Sequence, residues 1–227
     1  MKQAERAELT RRKIMKAAMK EFGVNGYRGG TIGNICKTGI NKGLVYHYFE
    51  SRDELYLECV KDCCGKLCGK LDETVRSRTD TGRGGRTKTE PEEVVRRYMK
   101  VRMDFYKENP EETRILFDCL FDTPANLRQQ IDRILKPLEE RNMQICAELL
   151  SGLKLRSGMT IEKAEKYLSL LQYMFNAYFG SPAMQEKSLD ERITLHEQNV
   201  PEILDCMLYG IAEKKPESKQ HERRKLK

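Results

Sequence analysis

The residues equipped for chemistry gather on one short segment, 42–48. There Lys42, Gly43, Leu44, His47 and Tyr48 would share the outer face of a single helix. A lysine so placed meets phosphate or guanine, an imidazole faces solvent or phosphate, and a glycine lets the backbone come close to a groove. This is equipment for holding a polyanion. Four cysteines, Cys59, Cys63, Cys64 and Cys68, suggest a second chemistry, since thiols at i,i+4 can chelate a soft metal or answer to oxidants. At about 100° per residue, however, the 59/63 and 64/68 pairs point to faces too far apart to converge on one ion. They read as small packing residues, and no metal site is assigned. The three histidines, His47, His196 and His221, are scattered, and no Ser, Cys or carboxylate stands at a catalytic spacing. Gly82-Arg83-Gly84-Gly85 lacks the Gly-Lys-Ser/Thr ending of a phosphate loop. Neither an enzyme nor a cofactor is expected.

The elements that must position segment 42–48 are helical. Ile14, Ala17, Ala18 and Phe22 mark one face of a first helix, which Gly23, Asn25 and Gly26 should break. Thr31 is placed to cap a short second helix carrying Ile32, Ile35 and Cys36, and Gly39 to stop it. Asn41 caps the third helix. Ile35, Ile40, Val45 and Phe49 then form a small core that locks the last two helices at a fixed angle. Two short helices joined by a glycine turn are the grammar of a helix-turn-helix, whose second helix enters the DNA major groove. Ser51-Arg52-Asp53-Glu54 is a capping box that opens a fourth helix.

Beyond it, residues 77–90 contain no large apolar side chain and read as a loop or disordered linker. Further helices are expected at about 91–108, 111–121, 125–150, 160–179 and 188–212, with Pro137 and Pro201 kinking two of them. The fold class is therefore all-α: a three-helix head over 1–50, a larger helical body over 51–213 with its first helix (51–76) as connector, and a disordered basic tail over 214–227.

Charge sharpens this division. The chain carries 42 Lys and Arg against 35 Asp and Glu in 227 residues, a formal net charge of +7. The head is net +6 and the tail +5, while residues 91–213 are net −5. A basic head on a mildly acidic body points to nucleic acid as the partner of the head. No stretch approaches a membrane span, the N-terminus is not a signal peptide, and eight cysteines suit a reducing compartment. A soluble cytoplasmic protein is expected, with no membrane partner.

The head also resembles a known family. Residues 14–22 (Ile-Met-Lys-Ala-Ala-Met-Lys-Glu-Phe) with Gly26-Tyr27, and above all residues 31–49 running into Ser51-Arg52-Asp53-Glu54-Leu55, are similar to the helix-turn-helix of the tetracycline-repressor (TetR) family. The resemblance covers about residues 10–60. It implies that Thr31 contacts phosphate as well as capping its helix, that Lys42, Gly43 and Leu44 face base edges, and that Tyr46 and Tyr48 reach backbone phosphates. It further implies that Arg52 pins the start of the fourth helix to the duplex. Cys36, Leu44, Tyr48 and Arg52 depart from the residues common in the family. Leu44 suggests an apolar contact with a thymine methyl.

By the same resemblance the body binds a small-molecule effector and makes a homodimer. The expected activity is that of a ligand-responsive regulator, a repressor, which binds a pseudo-palindromic double-stranded operator and is released by an apolar or aromatic effector. The alternative is a helical ligand-binding or interaction protein without operator binding. Candidate pocket residues are Tyr98, Met99, Met103, Phe105, Phe117, Phe121 and Met143, an aromatic and methionine stripe within 91–150. Candidate interface residues, on two final helices too apolar for one core-facing stripe, are Leu171, Phe175, Tyr178, Ile203 and Met207.

Overall fold

The computed structural model describes residues 3–76 and 91–211; the expected linker at 77–90 and tail at 214–227 lie outside the described residues. Among these residues, nine α-helices follow one another: α1 (Gln3–Gly29), α2 (Ile32–Cys36), α3 (Lys42–Tyr48), α4 (Arg52–Arg76), α5 (Pro91–Glu108), α6 (Pro110–Phe121), α7 (Arg128–Ser151), α8 (Ile161–Phe179) and α9 (Leu189–Ile211). A short 3-10 turn, Pro182–Met184, precedes the last. The helices α7 and α9 continue through Pro137 and Pro201. No helix among the described residues is long and apolar enough to cross a membrane.

The first helix runs further than its glycines suggest. Its buried face, Ile14, Ala18, Met19, Phe22 and Gly23, repeats at helical spacing, and Gly23 lies within the helix rather than ending it. A Cβ at Gly23 would stand 2.8 Å from the Cβ of Glu111, so this glycine lets α1 and α6 pack closely. The break falls at Gly26, whose φ of 63° and ψ of −177° are open to a residue without a Cβ. A break there releases the Gly23 carbonyl and the Tyr27 N–H from the bond they would otherwise make to each other. Both are recaptured by α6: the Arg114 guanidinium donates to the Gly23 oxygen, and Tyr27 N donates to Asp118 Oδ2 at 2.9 Å.

One apolar core runs from the head into the body. Ile14, Phe22, Ile35, Val45 and Phe49 pack with Leu55, Tyr56, Cys59, Val60 and Cys63 of α4, then with Ile115, Leu116 and Ile131. The core therefore does not divide at residue 50, because α4 presents buried residues along its whole length, from Leu55 to Leu71. The helix-four cysteines belong to this face. Cys59, Cys63, Cys64 and Cys68 are all buried, with Cys63 Sγ 3.4 Å from Met19 Sδ and Cys64 Sγ donating to the Ile134 carbonyl. Burial pushes the Cys59 and Cys63 thiols up, away from the thiolate that metals and oxidants require. No group of three or more His, Cys, Asp or Glu side chains among the described residues is arranged to hold a metal.

Asp118 also binds the connecting helix α4, accepting from Tyr56 Oη at 3.0 Å. Burial raises its pKa above the ordinary carboxylate value, while the bonds from Tyr27 and Tyr56 oppose that rise. Asp118→Leu strands two donors in a largely buried place, at about 1–3 kcal/mol each. The expected loss of stability is about 2–4 kcal/mol, measured by chemical denaturation. A loss below about 1 kcal/mol would mean that Arg114 and packing, not Asp118, hold the joint between α1 and α6.

Candidate nucleic-acid interface and internal cavity

The outward face of α3 is built by two caps and a buried edge. Thr31 Oγ1 accepts from Asn34 N at 3.1 Å and so fixes the start of α2. Gly39, at φ 90°, turns the chain where a side chain would be strained. Asn41 Oδ1 then accepts from Gly43 N at 2.8 Å and starts α3. Val45 and Phe49 are buried, and Ile40 packs against the same core. This leaves Lys42, Gly43, Leu44, Tyr46 and His47 exposed, with Tyr48 half-buried. Tyr46 is 48% exposed, and the Lys42 ammonium lies 6.0 Å from the centre of its ring. The His47 and Tyr48 rings meet edge to face.

Two residues do local work beyond the roles expected of them. Gly43 is open to solvent, but a Cβ there would lie 3.1 Å from Asn41 Oδ1, so the glycine also keeps the cap uncrowded. Arg52 turns into the head. Its Nε donates to the Gly30 carbonyl at 2.7 Å, its Nη1 reaches Asp53, and the guanidinium stacks 4.3 Å from the Tyr27 ring centre. Part of the group stays accessible, yet its bonds hold the start of α4 to the loop before α2. Glu21 was not anticipated. Its carboxylate accepts from Thr31 N and from the Asn34 side chain, fastening α1 to α2. An acidic residue in a basic helix, ten positions before a cap, was the signal.

In the body, a pocket partly open to solvent lies between α5, α7, α8 and α9; its empty space, counted together with the solvent it opens to, is about 680 Å³. Of the seven candidate pocket residues, Tyr98 lines it and the other six are placed elsewhere. Phe105 is buried in the main core, and Met103 is 49% exposed on the outer side of α5. Phe117 and Phe121 belong to a separate aromatic cluster with Phe179 and Met184. The Met143 sulfur accepts from Ser169 Oγ at 3.0 Å, and Met99 is half-buried outside the cavity wall. The stripe from 98 to 121 wraps several sides of two helices, so one apolar pattern serves three different environments.

The wall includes residues that no apolar pattern could reveal. Arg102 Nη2 donates to Glu197 Oε1 at 2.6 Å and Nη1 to Tyr98 Oη at 2.7 Å, and Tyr98 Oη donates to Asn142 Oδ1 at 3.0 Å. His196 is held between Glu197 Oε1, 2.8 Å from Nδ1, and the Asn176 carboxamide, 3.0 Å from Nε2. Burial lowers the His196 pKa and outweighs the opposing pull of Glu197, so the ring is neutral at pH 7. The same ring lies against Phe117, Phe121, Phe175 and Phe179, at centroid distances of 4.7–5.6 Å. It thus links the cavity wall to α6, the helix that grips α1.

The candidate interface residues separate into two groups. Leu171 and Tyr178 are exposed on α8, in a stripe with Tyr167, Leu170 and Met174. Phe175, Ile203 and Met207 instead turn inward and line the cavity.

Comparison with known proteins places these features in context. Residues 14–59 match the family described as bacterial regulatory proteins, tetR family. A repressor from Pseudomonas putida, the HTH-type transcriptional repressor NicS, is 28% identical over 114 residues, which are 50% of this chain. The match spans only about half (49%) of that relative's length. Among solved structures, the transcriptional regulator FadR from Bacillus subtilis, in complex with stearoyl-CoA, aligns with a TM-score of 0.58 at 18% identity. It covers 88% of this chain and 98% of its own. A transcriptional regulator from Rhodococcus sp. Rha1 aligns at 0.59 and 17% identity, over 90% and 98%. At these identities the likeness is one of fold.

Proposed function

We propose that this chain, which belongs to the tetR family of bacterial regulatory proteins, is a ligand-responsive transcriptional repressor whose α3 reads a DNA operator. The observation that carries this reading is the outer face of α3: Lys42, Leu44, Tyr46 and His47 exposed together on a helix locked from behind by Val45 and Phe49. Lys42, Gly43 and Leu44 face base edges. Thr31, Tyr46, His47 and Tyr48 meet the phosphate backbone, and the accessible part of Arg52 joins them. The protein works as a homodimer on a pseudo-palindromic site, with its two recognition helices about 34–36 Å apart. The exposed stripe of α8 at Tyr167, Leu170, Leu171, Met174 and Tyr178 supports that assembly. Its place of work is the bacterial cytoplasm, where the DNA lies.

The effector occupies the cavity between α5, α7, α8 and α9. Its entry shifts His196 and the aromatic rings around it, and these move α6. Because α6 holds α1 through Arg114 and Asp118, the head turns with it and the two recognition helices leave their operator spacing. Couplings of this kind are typically about 1–3 kcal/mol.

Gel shifts against the promoter region beside its own gene test the reading. Binding is expected to be dimeric, and to weaken by about 10³–10⁵ between roughly 50 and 200 mM salt if about 6–10 phosphates are neutralised. Absence of binding at every salt concentration would leave a helical ligand-binding protein without an operator.

A further inference from the structure

The cavity wall carries more information about its ligand than its apolar residues do. With the effector seated here, as the reading above has it, the charge of the wall decides which ligands the cavity admits. Among the described residues, the wall has one permanently charged side chain, Arg102. That charge is already matched: Glu197 Oε1 sits 2.6 Å from Arg102 Nη2, with both side chains withdrawn from solvent. His196 contributes no compensating cation, since burial keeps it neutral. The wall therefore carries no net positive charge: Arg102 Nε and Glu197 Oε2 are both buried without a hydrogen-bond partner among the described residues, so an entering carboxylate or phosphate that approaches the guanidinium also meets the Glu197 carboxylate. Desolvating an anion without a partner is strongly unfavourable.

What the wall does offer is uncharged polarity, from Tyr98, Asn142, Gln172, Asn176 and His196. Gln172 lines the cavity with no hydrogen bond to any described residue, and Asn176 uses one end of its carboxamide on His196. Val94, Leu149 and Val200, among other apolar side chains, make up much of the remaining wall. Carboxamides both donate and accept, so they match a hydroxyl, ketone or amide without demanding charge.

We propose that the cavity binds a neutral, mainly apolar molecule bearing one uncharged hydrogen-bonding group, held by Gln172 and Asn176, and that it discriminates against carboxylates and phosphorylated ligands. On this account the ligand differs in class from the acyl-CoA bound by the FadR structure. The Arg102–Glu197 pair is the discriminating device, because it fills the place of a cation with a neutral ion pair.

Matched probes test this on the full chain. Thermal shift and calorimetry compare 2-naphthol with 2-naphthoate, and 1-decanol with decanoate and decanoyl-CoA. The neutral member of at least one series is expected to bind tenfold or more tighter than its acid. In Gln172→Leu, at a half-buried position of α8, the preference for 2-naphthol over naphthalene, measured in the same way, falls at least fivefold. In Glu197→Gln, which keeps the hydrogen-bonding shape and frees the Arg102 charge, carboxylate affinity rises at least tenfold. Wild-type protein that binds the acid or the thioester as tightly as the alcohol overturns the proposal, and so does a lack of binding to every probe. Gel shifts run in parallel separate the two readings. Neutral probes that bind a chain with no operator sink the repressor and spare the cavity. An operator released only by the acids does the reverse.

Discussion

Alanine at both Lys42 and Tyr46 is expected to cost the protein about a thousandfold in operator affinity while leaving its melting temperature unchanged. The two side chains are exposed, and neither belongs to the core that holds α3. Val45 and Phe49 stay in place behind them, so the fold loses almost nothing. Binding loses two contacts per head, and a dimer presents two heads. At about 1 kcal/mol per contact the total is about 4 kcal/mol, or roughly 10³ in affinity. The slope of log affinity against log salt should also fall by about 2, one lysine in each head. Fluorescence anisotropy with labelled operator at several salt concentrations measures both quantities. Affinity equal to wild type would show that α3 is not the reading helix.

Phe22→Ala should be the most damaging single change in the head. The ring has no exposed surface and meets Tyr56 edge to face at 5.1 Å. It also lies against Gly30, where an added Cβ would come within 2.4 Å of the ring, and beneath the Arg52 guanidinium at 5.8 Å. Truncation leaves a cavity at the point where α1, α4 and the loop before α2 converge. The expected cost is about 3–5 kcal/mol, a large part of the roughly 5–15 kcal/mol that holds a domain together. Urea unfolding followed by circular dichroism measures it. A loss under about 1.5 kcal/mol would mean that the head collapses around the gap.

The head was legible because its signals are local. Thr31, Gly39, Asn41 and Ser51 each act within three residues of themselves, and each cap or turn stands as its residue type requires. Helix order in the body was legible too, since proline, glycine and apolar periodicity mark its boundaries. The end of α1 was not. Gly23 and Gly26 look alike in sequence, and only the approach of α6 decides that one packs and the other breaks the helix. The cavity was harder still. Its polar wall joins Arg102 to Glu197, 95 positions away, and His196 to Asn176, 20 away. Pairings at such separations leave no periodic trace. The apolar stripe that suggested a pocket was therefore divided among core, surface and aromatic cluster, and Tyr98 alone of it reached the wall.

The joint between α1 and α6 has a consequence for how such a protein can change. On the α1 side, its contacts to Arg114 and Asp118 are made by main-chain atoms, the Gly23 carbonyl and the Tyr27 N–H, exposed by the break at Gly26. A grip on the main chain is indifferent to most side chains of the helix it holds. The head can therefore exchange surface residues, and with them its DNA preference, without altering the handle by which the body turns it. Sensing and reading are in this way free to evolve at separate rates, provided that Gly23, Gly26 and the two α6 side chains are kept.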